Sequence, residues 1–371
     1  MKKTLFGTTA LVTAGVLASS GAQAQIELGL GGYMNNFFVV GDSDPDAAGI
    51  DYTPTGLYSD GEVWFSGEFT ADNGLSFGAN IQLEAFGNTA DTIDEDFGYI
   101  EGGFGRFQFG SENTAAYLMQ YSSPSVGVPI NSGWVTSFVP IPAGHNAGFR
   151  TTGLSTYIDI GNDENVLTYF TPRFFGFQIG ATYAPAVVFT GDGQNFPVFA
   201  NENTQFNNGI AVGVNFVESF GSVDVAVAGG YRRAEAPDNP IGGRNADDIE
   251  QISFGANLGF AGFTIGGSYA NEYEGRITAA GVSTEGESYD IGVAYSTGPW
   301  SFGVAYIHGE VEGAIATSGE DEMDAARIGV EYAVAPGVTA SVSGLWADWD
   351  EEGTNTDNDG FAGAVGVNFG F

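Results

Sequence analysis

Bulky apolar residues alternate with small or polar ones along most of this sequence, and a period of two marks strands rather than helices. In residues 75–85 every apolar side chain falls on one side, while Ser76, Asn80, Gln82 and Glu84 fall on the other. The pattern recurs in 252–260, 263–269, 289–295, 300–306, 326–332 and 338–346, and it runs from Phe361 to the last residue, Phe371. Short turns at 71–74, 102–105, 218–221, 297–299 and 335–337 separate some of these segments. Longer, mostly acidic segments separate the others, at about 41–60, 87–96, 113–161, 185–207, 233–248, 273–286, 309–324 and 348–359. Eight long loops with short turns between them imply about sixteen antiparallel strands in one domain, residues 25–371.

Residues 1–24 stand apart. Lys2 and Lys3 precede an uncharged apolar run over 5–18, and Ala22-Gln23-Ala24 supplies small residues around a cleavage point. This is the pattern of a cleaved signal peptide, with the mature chain starting at Gln25. Its removal takes both lysines and leaves eight arginines against 46 acids. Such a balance excludes nucleic acid as a partner, since phosphates demand the opposite sign. It also excludes docking on anionic lipid through a polybasic patch. With no cysteine, neither disulfides nor thiolate chemistry enter.

Beyond Ala24 no stretch approaches 18 consecutive apolar residues, so the sequence predicts no transmembrane helix. The 58 glycines and 30 phenylalanines instead suggest a sheet with one bulky face and one small or polar face. A soluble β-sandwich also alternates, but its outer face is usually charged. Here that second face is largely Gly, Ala, Ser, Asn and Gln, and most charge lies in the long loops. The pattern fits an all-β transmembrane antiparallel barrel, in which closure leaves no backbone group unpaired in hydrocarbon. Trp64, Tyr99, Tyr169, Tyr183, Tyr231, Tyr269, Trp300 and Trp346 lie near strand ends, where an interfacial aromatic girdle would place them.

Residues 25–40 have the form of an opening strand. The run Gly103-Phe104-Gly105-Arg106-Phe107-Gln108-Phe109-Gly110 continues through Ser111-Glu112-Asn113-Thr114 into the longest irregular segment. Residues 165–183, from Asn165 through Tyr169, Pro172, Gly176 and Gly180 to Tyr183, follow it, and the chain ends on an aromatic residue. These four places resemble the general porins of Gram-negative bacteria, most closely the alphaproteobacterial type. The resemblance covers the mature chain in organisation and these places in motif. It implies a sixteen-stranded barrel in the outer membrane, surrounded by lipid and lipopolysaccharide. It also implies a homotrimer, one loop folded into the lumen, and passive diffusion of small hydrophilic solutes and ions.

The segment 113–161 is too apolar to hang in water, with Tyr117, Leu118, Met119, Trp134, Phe138 and Ile141 among its residues. Packed inside the barrel it would form a constriction; capping the barrel or latching onto a neighbour are the alternatives. If Phe, Val and Ile face lipid, then Glu62, Glu68, Glu84, Arg106, Asp224, Arg232, Asp290, Arg327 and Glu331 face the lumen. An arginine on the lipid side at mid-membrane would cost about 2–4 kcal/mol. Glu112, His145 and Arg150 join them as candidate constriction residues on the loop. Acids outnumber arginines, which predicts cation preference. The related proteins set a basic wall cluster against loop acids, whereas this wall carries glutamates near 62–84 and its loop has His145 and Arg150 but no carboxylate between Glu112 and Asp159.

Asp42, Asp44 and Asp46, and Asp357 with Asp359, place oxygen ligands at alternate positions, a spacing suited to Ca²⁺. Neither group has the glutamate of an EF-hand loop, and solvated acidic loops are the alternative. No cofactor is otherwise required. His145 and His308 lack any metal-ligand spacing, and no glycine motif links a strand to a helix as dinucleotide binding demands. The expected protein is a channel and not an enzyme. A substrate-specific channel and a non-conducting structural or adhesive barrel are the competing readings.

Overall fold

Sixteen strands form one continuous antiparallel sheet whose last strand hydrogen-bonds to its first. In the computed structural model, residues 12–13, 26–46, 50–85, 93–141, 153–159, 165–187, 199–241, 246–275, 281–314, 319–351 and 357–371 are described. In chain order the strands are β1 (Glu27–Pro45), β2 (Thr55–Thr70), β3 (Ser76–Glu84), β4 (Asp96–Gly102) and β5 (Gly105–Ser111). Beyond the inserted loop come β6 (Asn165–Phe170), β7 (Phe177–Val187), β8 (Phe206–Phe220), β9 (Val223–Glu235) and β10 (Ile249–Phe260). The ring finishes with β11 (Phe263–Glu274), β12 (Val282–Thr297), β13 (Trp300–Ala314), β14 (Asp321–Ala335), β15 (Val338–Asp350) and β16 (Asn358–Gly370). Val12 and Thr13, within the segment expected to be cleaved, lie against Leu30 and Gly29 of β1.

The seam shows why the barrel closes. Partners run from Asn358↔Pro45 to Gly370↔Tyr33 without a break. Past the last strand residue, Phe371 N–H donates to Gly32 O and Gly32 N–H donates to Phe371 O, each at 3.0 Å. The main chain is thereby paired to its final residue, and no sheet edge is left to meet hydrocarbon.

Alternation sets the two faces. Phe38, Phe65, Ile81, Phe109, Ile179, Phe254, Ile291, Ile328 and Phe361 are exposed on the outer surface, where lipid replaces water. The inward residues of β7 to β16 are mostly small. Ala184, Ala211, Ala226, Ala270, Ala305, Ala325, Ala347 and Ala364 are all buried beneath other chain.

What covers them is the inserted loop. Its short helices α1 (Ala115–Leu118) and α2 (Val135–Phe138) lie inside the barrel. Val128, Ile130, Val135, Phe138, Val139 and Leu154 pack with Ile307, Met323, Ala347, Trp349 and Phe37 of the wall. Ala116 and Ile158 pack with Val166, Ala184, Ala211 and Ile249 in a second cluster. Burial of each large aliphatic side chain contributes roughly 1.5–3 kcal/mol, enough to hold the loop without a covalent tether. Two wall glycines permit the approach: a Cβ on Gly255 would collide with Tyr121 O, and one on Gly329 with Val126 O.

Two expectations are corrected. Several strands outrun the alternating apolar segments: β1 continues to Pro45, β2 begins at Thr55, β12 begins at Val282 and β13 continues to Ala314. Acidic strand ends look like loop in the sequence, although the hairpins simply extend past the apolar band. Trp64 and Tyr99, assigned to the girdle, face the lumen instead. They pair directly with Gly31 and Gly78, on the face opposite Phe65, Phe77 and Ile100. Among the described residues no helix is long and apolar enough to cross a membrane.

Candidate functional site

Inside the barrel the wall divides into a covered arc and an open arc. The covered arc, on β7 to β16, presents its polar groups to the inserted loop. Ser123 N–H donates to Asp290 Oδ2 at 2.8 Å, Gly127 N–H to Glu331 Oε1 at 2.7 Å and Val128 N–H to Ser343 Oγ at 3.0 Å. From β14 the guanidinium of Arg327 donates to Ser125 Oγ at 3.1 Å, Val128 O at 3.2 Å and Pro124 O at 3.1 Å. Asn131 Nδ2 donates to Thr156 Oγ1 at 2.7 Å, tying two stretches of the loop together. Hydrogen bonds to the loop's own main chain therefore fix its path as well as its depth.

Strand parity put Arg232, Asp290, Arg327 and Glu331 on the inner face, and the register does place them there. Yet Asp290 and Arg327 are only 4% and 3% exposed, because the loop lies over them. Arg232 is buried too and donates to Glu272 Oε2 at 2.5 Å. Thr284 donates to the same carboxylate. Asp290, Arg327 and Arg232 brace the wall rather than meet the aqueous space, while Glu331 is half-buried. Asp224 also faces inward, beside the short turn, and accepts from Ser219 Oγ at 2.6 Å.

On the open arc, β1 to β5, the described part of the inserted loop packs only at the long-loop end, where Trp134 and Phe138 meet Phe37 and Tyr58. Asp60, Glu62 and Glu68 project from β2, Glu84 from β3, and Glu101 and Arg106 from β4 and β5. Tyr33 Oη donates to Glu62 Oε1 at 2.8 Å. Just before β4, Asp94 and Glu95 bring carboxylate oxygens within 4.8 Å of those of Glu62. With Glu27 of β1 opposite Glu68, six wall acids among the described residues thus share the open arc with Arg106, and Arg173 from the turn before β7 lines one cavity with it. Arg106 is itself 31% exposed, lies 3.8 Å above the Tyr99 ring, and approaches Glu101 Oε2 to 3.9 Å. Cavities of about 310 and 500 Å³ flank it, and both include Phe97 and Arg106 in their lining. At the base of the loop, burial holds the Glu112 carboxyl above its ordinary range, against the lowering influence of the Asn113 N–H groups.

Asp60 and Glu101 join the site through the same parity as Glu62 and Arg106. The sequence pattern reads 41–60 as loop, whereas Asp60 lies within β2. His145 and Arg150 lie outside the described residues. The acidic groups considered for calcium converge at the long-loop end of the barrel. Asp44 and Asp359 are directly paired across β1 and β16, and Asp359 is paired in turn with Asp348. Asp46 N–H donates to Asp357 O at 2.9 Å, while Asp42 lies opposite Phe361. The paired aspartates occupy the outer face, with Phe361, rather than the lumen.

A closed barrel with a lipid-facing apolar band and a polar, loop-narrowed interior defines an outer-membrane channel protein. The chain belongs to the Gram-negative porin family, whose model matches residues 7–348. Comparison with curated proteins gives no sequence match. Among solved structures it is similar to an anion-selective porin from Comamonas acidovorans, with 15% identity, a TM-score of 0.59, and 94% of this chain and 100% of that one covered. It is also similar to OmpF of Salmonella typhi, solved with daunomycin, with 14% identity, a TM-score of 0.59 and coverage of 93% and 98%. The trimer form of OmpT from Vibrio cholerae aligns with 13% identity, a TM-score of 0.58 and coverage of 93% and 99%. At these identities the likeness concerns the fold.

Proposed function

We propose that this porin is a passive diffusion channel for small hydrophilic solutes and ions, with a preference for cations. One observation carries the reading: the arc left open by the inserted loop bears Asp60, Glu62, Glu68, Glu84 and Glu101 against Arg106. The buried arginines Arg232 and Arg327 are tied to Glu272 and to loop carbonyls, so they add little field to the aqueous path. Charges that line a pore set its ion selectivity, and here they are predominantly negative. The mechanism is steric exclusion plus electrostatic bias, with no bond made or broken.

The precursor is exported, cleaved after Ala24, and assembled among lipid and lipopolysaccharide as a homotrimer. The trimeric form of the Vibrio OmpT structure supports that assembly. Calcium, if bound, belongs to the outer rim around Asp44 and Asp359 and takes no part in conduction. Reconstitution of the folded protein into a planar bilayer tests the channel reading: stepwise ohmic conductance is expected, and a folded barrel that passes no current would overturn it.

A further inference from the structure

Two aromatic rings on the open arc lie flat against the wall, each above a glycine. A Cβ on Gly78 would collide with the Tyr99 ring, and one on Gly31 with the Trp64 indole. With glycine beneath, each ring rests on the backbone of the neighbouring strand and turns a π-face toward the lumen. Both rings stand among carboxylates. Tyr99 Oη donates to Glu68, and Glu101 is its neighbour two residues along β4. Trp64 has Glu62 two residues away on β2, with Glu84 directly opposite Glu62 on β3. Tyr33, hydrogen-bonded to Glu62, stands 6.3 Å from the Trp64 ring, centroid to centroid. Glu68, four residues from Trp64, links the two places.

At the first of them the chain supplies its own ligand. The Arg106 guanidinium lies 3.8 Å above the Tyr99 ring and 5.9 Å from the Phe97 ring centroid, between Glu68 and Glu101. A flat, weakly hydrated cation is what such a ring-and-carboxylate surface recognises, because the ring quadrupole attracts it and the carboxylates complete the charge balance. At Trp64 the same combination recurs, and among the described residues no arginine lies over that ring. We propose that Trp64, with Glu62 and Glu84, is a binding station for permeating organic cations of the guanidinium type, so that the pore favours them over sodium. Indole is the strongest of the aromatic partners for a cation. The station lies between mid-wall and the short-turn mouth, on the path past Arg106.

This inference rests on the channel reading, and one experiment separates the two. Reversal potentials under bi-ionic conditions, guanidinium chloride against sodium chloride, give the permeability ratio of the two cations. The ratio in the wild type is expected to exceed that of Trp64→Leu by about two- to five-fold, the equilibrium equivalent of one exposed cation–π contact. Trp64→Phe, which keeps a ring, should fall between them. It also answers the question if the leucine variant fails to form channels. Arg106→Ala should raise the ratio, because it frees the Tyr99 ring for the permeating ion. Its change of net charge affects sodium and guanidinium alike and cancels in the ratio. Equal ratios in the wild type and the Trp64 variants would overturn the station while leaving the channel intact. An absence of current in the wild type would overturn the channel itself.

Discussion

Arg327, on β14, donates a guanidinium hydrogen to the carbonyl of Val128, in the inserted loop, at 3.2 Å. The same side chain reaches Pro124 O and Ser125 Oγ, so a single buried cation gathers the loop path from 124 to 128. Hydrogen bonds from a charged donor are worth about 1.5–3 kcal/mol each, and a buried carbonyl left without a donor costs a similar amount. Arg327→Ala should loosen the loop by at least that much, which will appear as rapid closures and excess current noise in single channels. Arg327→Lys keeps the charge but not the planar fork, and should restore only part of the quiet open state. Noise equal to the wild type in both variants would show that apolar packing alone holds the loop.

Arg106 stands where two lumen cavities meet, held above the Tyr99 ring. Removing it widens the path and deletes the cation that stands directly among the open-arc acids. Arg106→Ala is expected to raise both single-channel conductance and cation preference. A rise in conductance without a change of selectivity would mean that the residue acts by bulk alone.

Glu112 is buried at the base of the loop, and burial raises its carboxyl above the ordinary value. The sign of the pH effect follows. Below the unfolded pKa of about 4.3 the group is protonated in both states and contributes nothing. As pH rises, the unfolded chain ionises first, and stability falls until the folded pKa is passed. Glu112→Gln removes that slope. Its thermal midpoint should match the wild type below about pH 4 and exceed it at neutral pH, in scans of folded protein in detergent. A wild type that is more stable than the variant at neutral pH would contradict the assignment.

On the outer face, Asp324, Asp348, Asp359 and Asp44 occupy successive registers across β14, β15, β16 and β1. Like charges directly opposed across strands are destabilising, on the scale of roughly 0.2–1 kcal/mol per pair. Calcium chloride should therefore raise the thermal midpoint more than sodium chloride of equal ionic strength, and Asp348→Asn should shrink the difference. Equal effects of the two salts would leave these acids as solvated rim charge.

The barrel was legible because alternation is a property of each strand separately. Phe361 to Phe371 spells out its outward and inward faces residue by residue, and parity placed Glu62, Arg106, Asp290 and Arg327 correctly on the inner one. Parity says nothing about which part of the inner face another segment covers. That depends on contacts between residues far apart in sequence, such as Gly127 with Glu331, so the division into covered and open arcs emerged only in three dimensions. A weak trace of it exists: the covered arc is lined with alanine and glycine, the open arc with acids and aromatic rings. Trp64 and Tyr99 were misassigned for a related reason. Bulk alone suggested lipid, while the glycines that make room for each ring sit on neighbouring strands.

The central claim is that the open-arc carboxylates set the sign of selectivity. Its most direct test is the reversal potential across a tenfold potassium chloride gradient, measured for the wild type and for a variant carrying Glu62→Gln, Glu68→Gln and Glu84→Gln. The account predicts a potential of cation-selective sign in the wild type, moving toward zero in the variant at similar conductance. An anion-selective wild type, or a potential unchanged by the three substitutions, would contradict it.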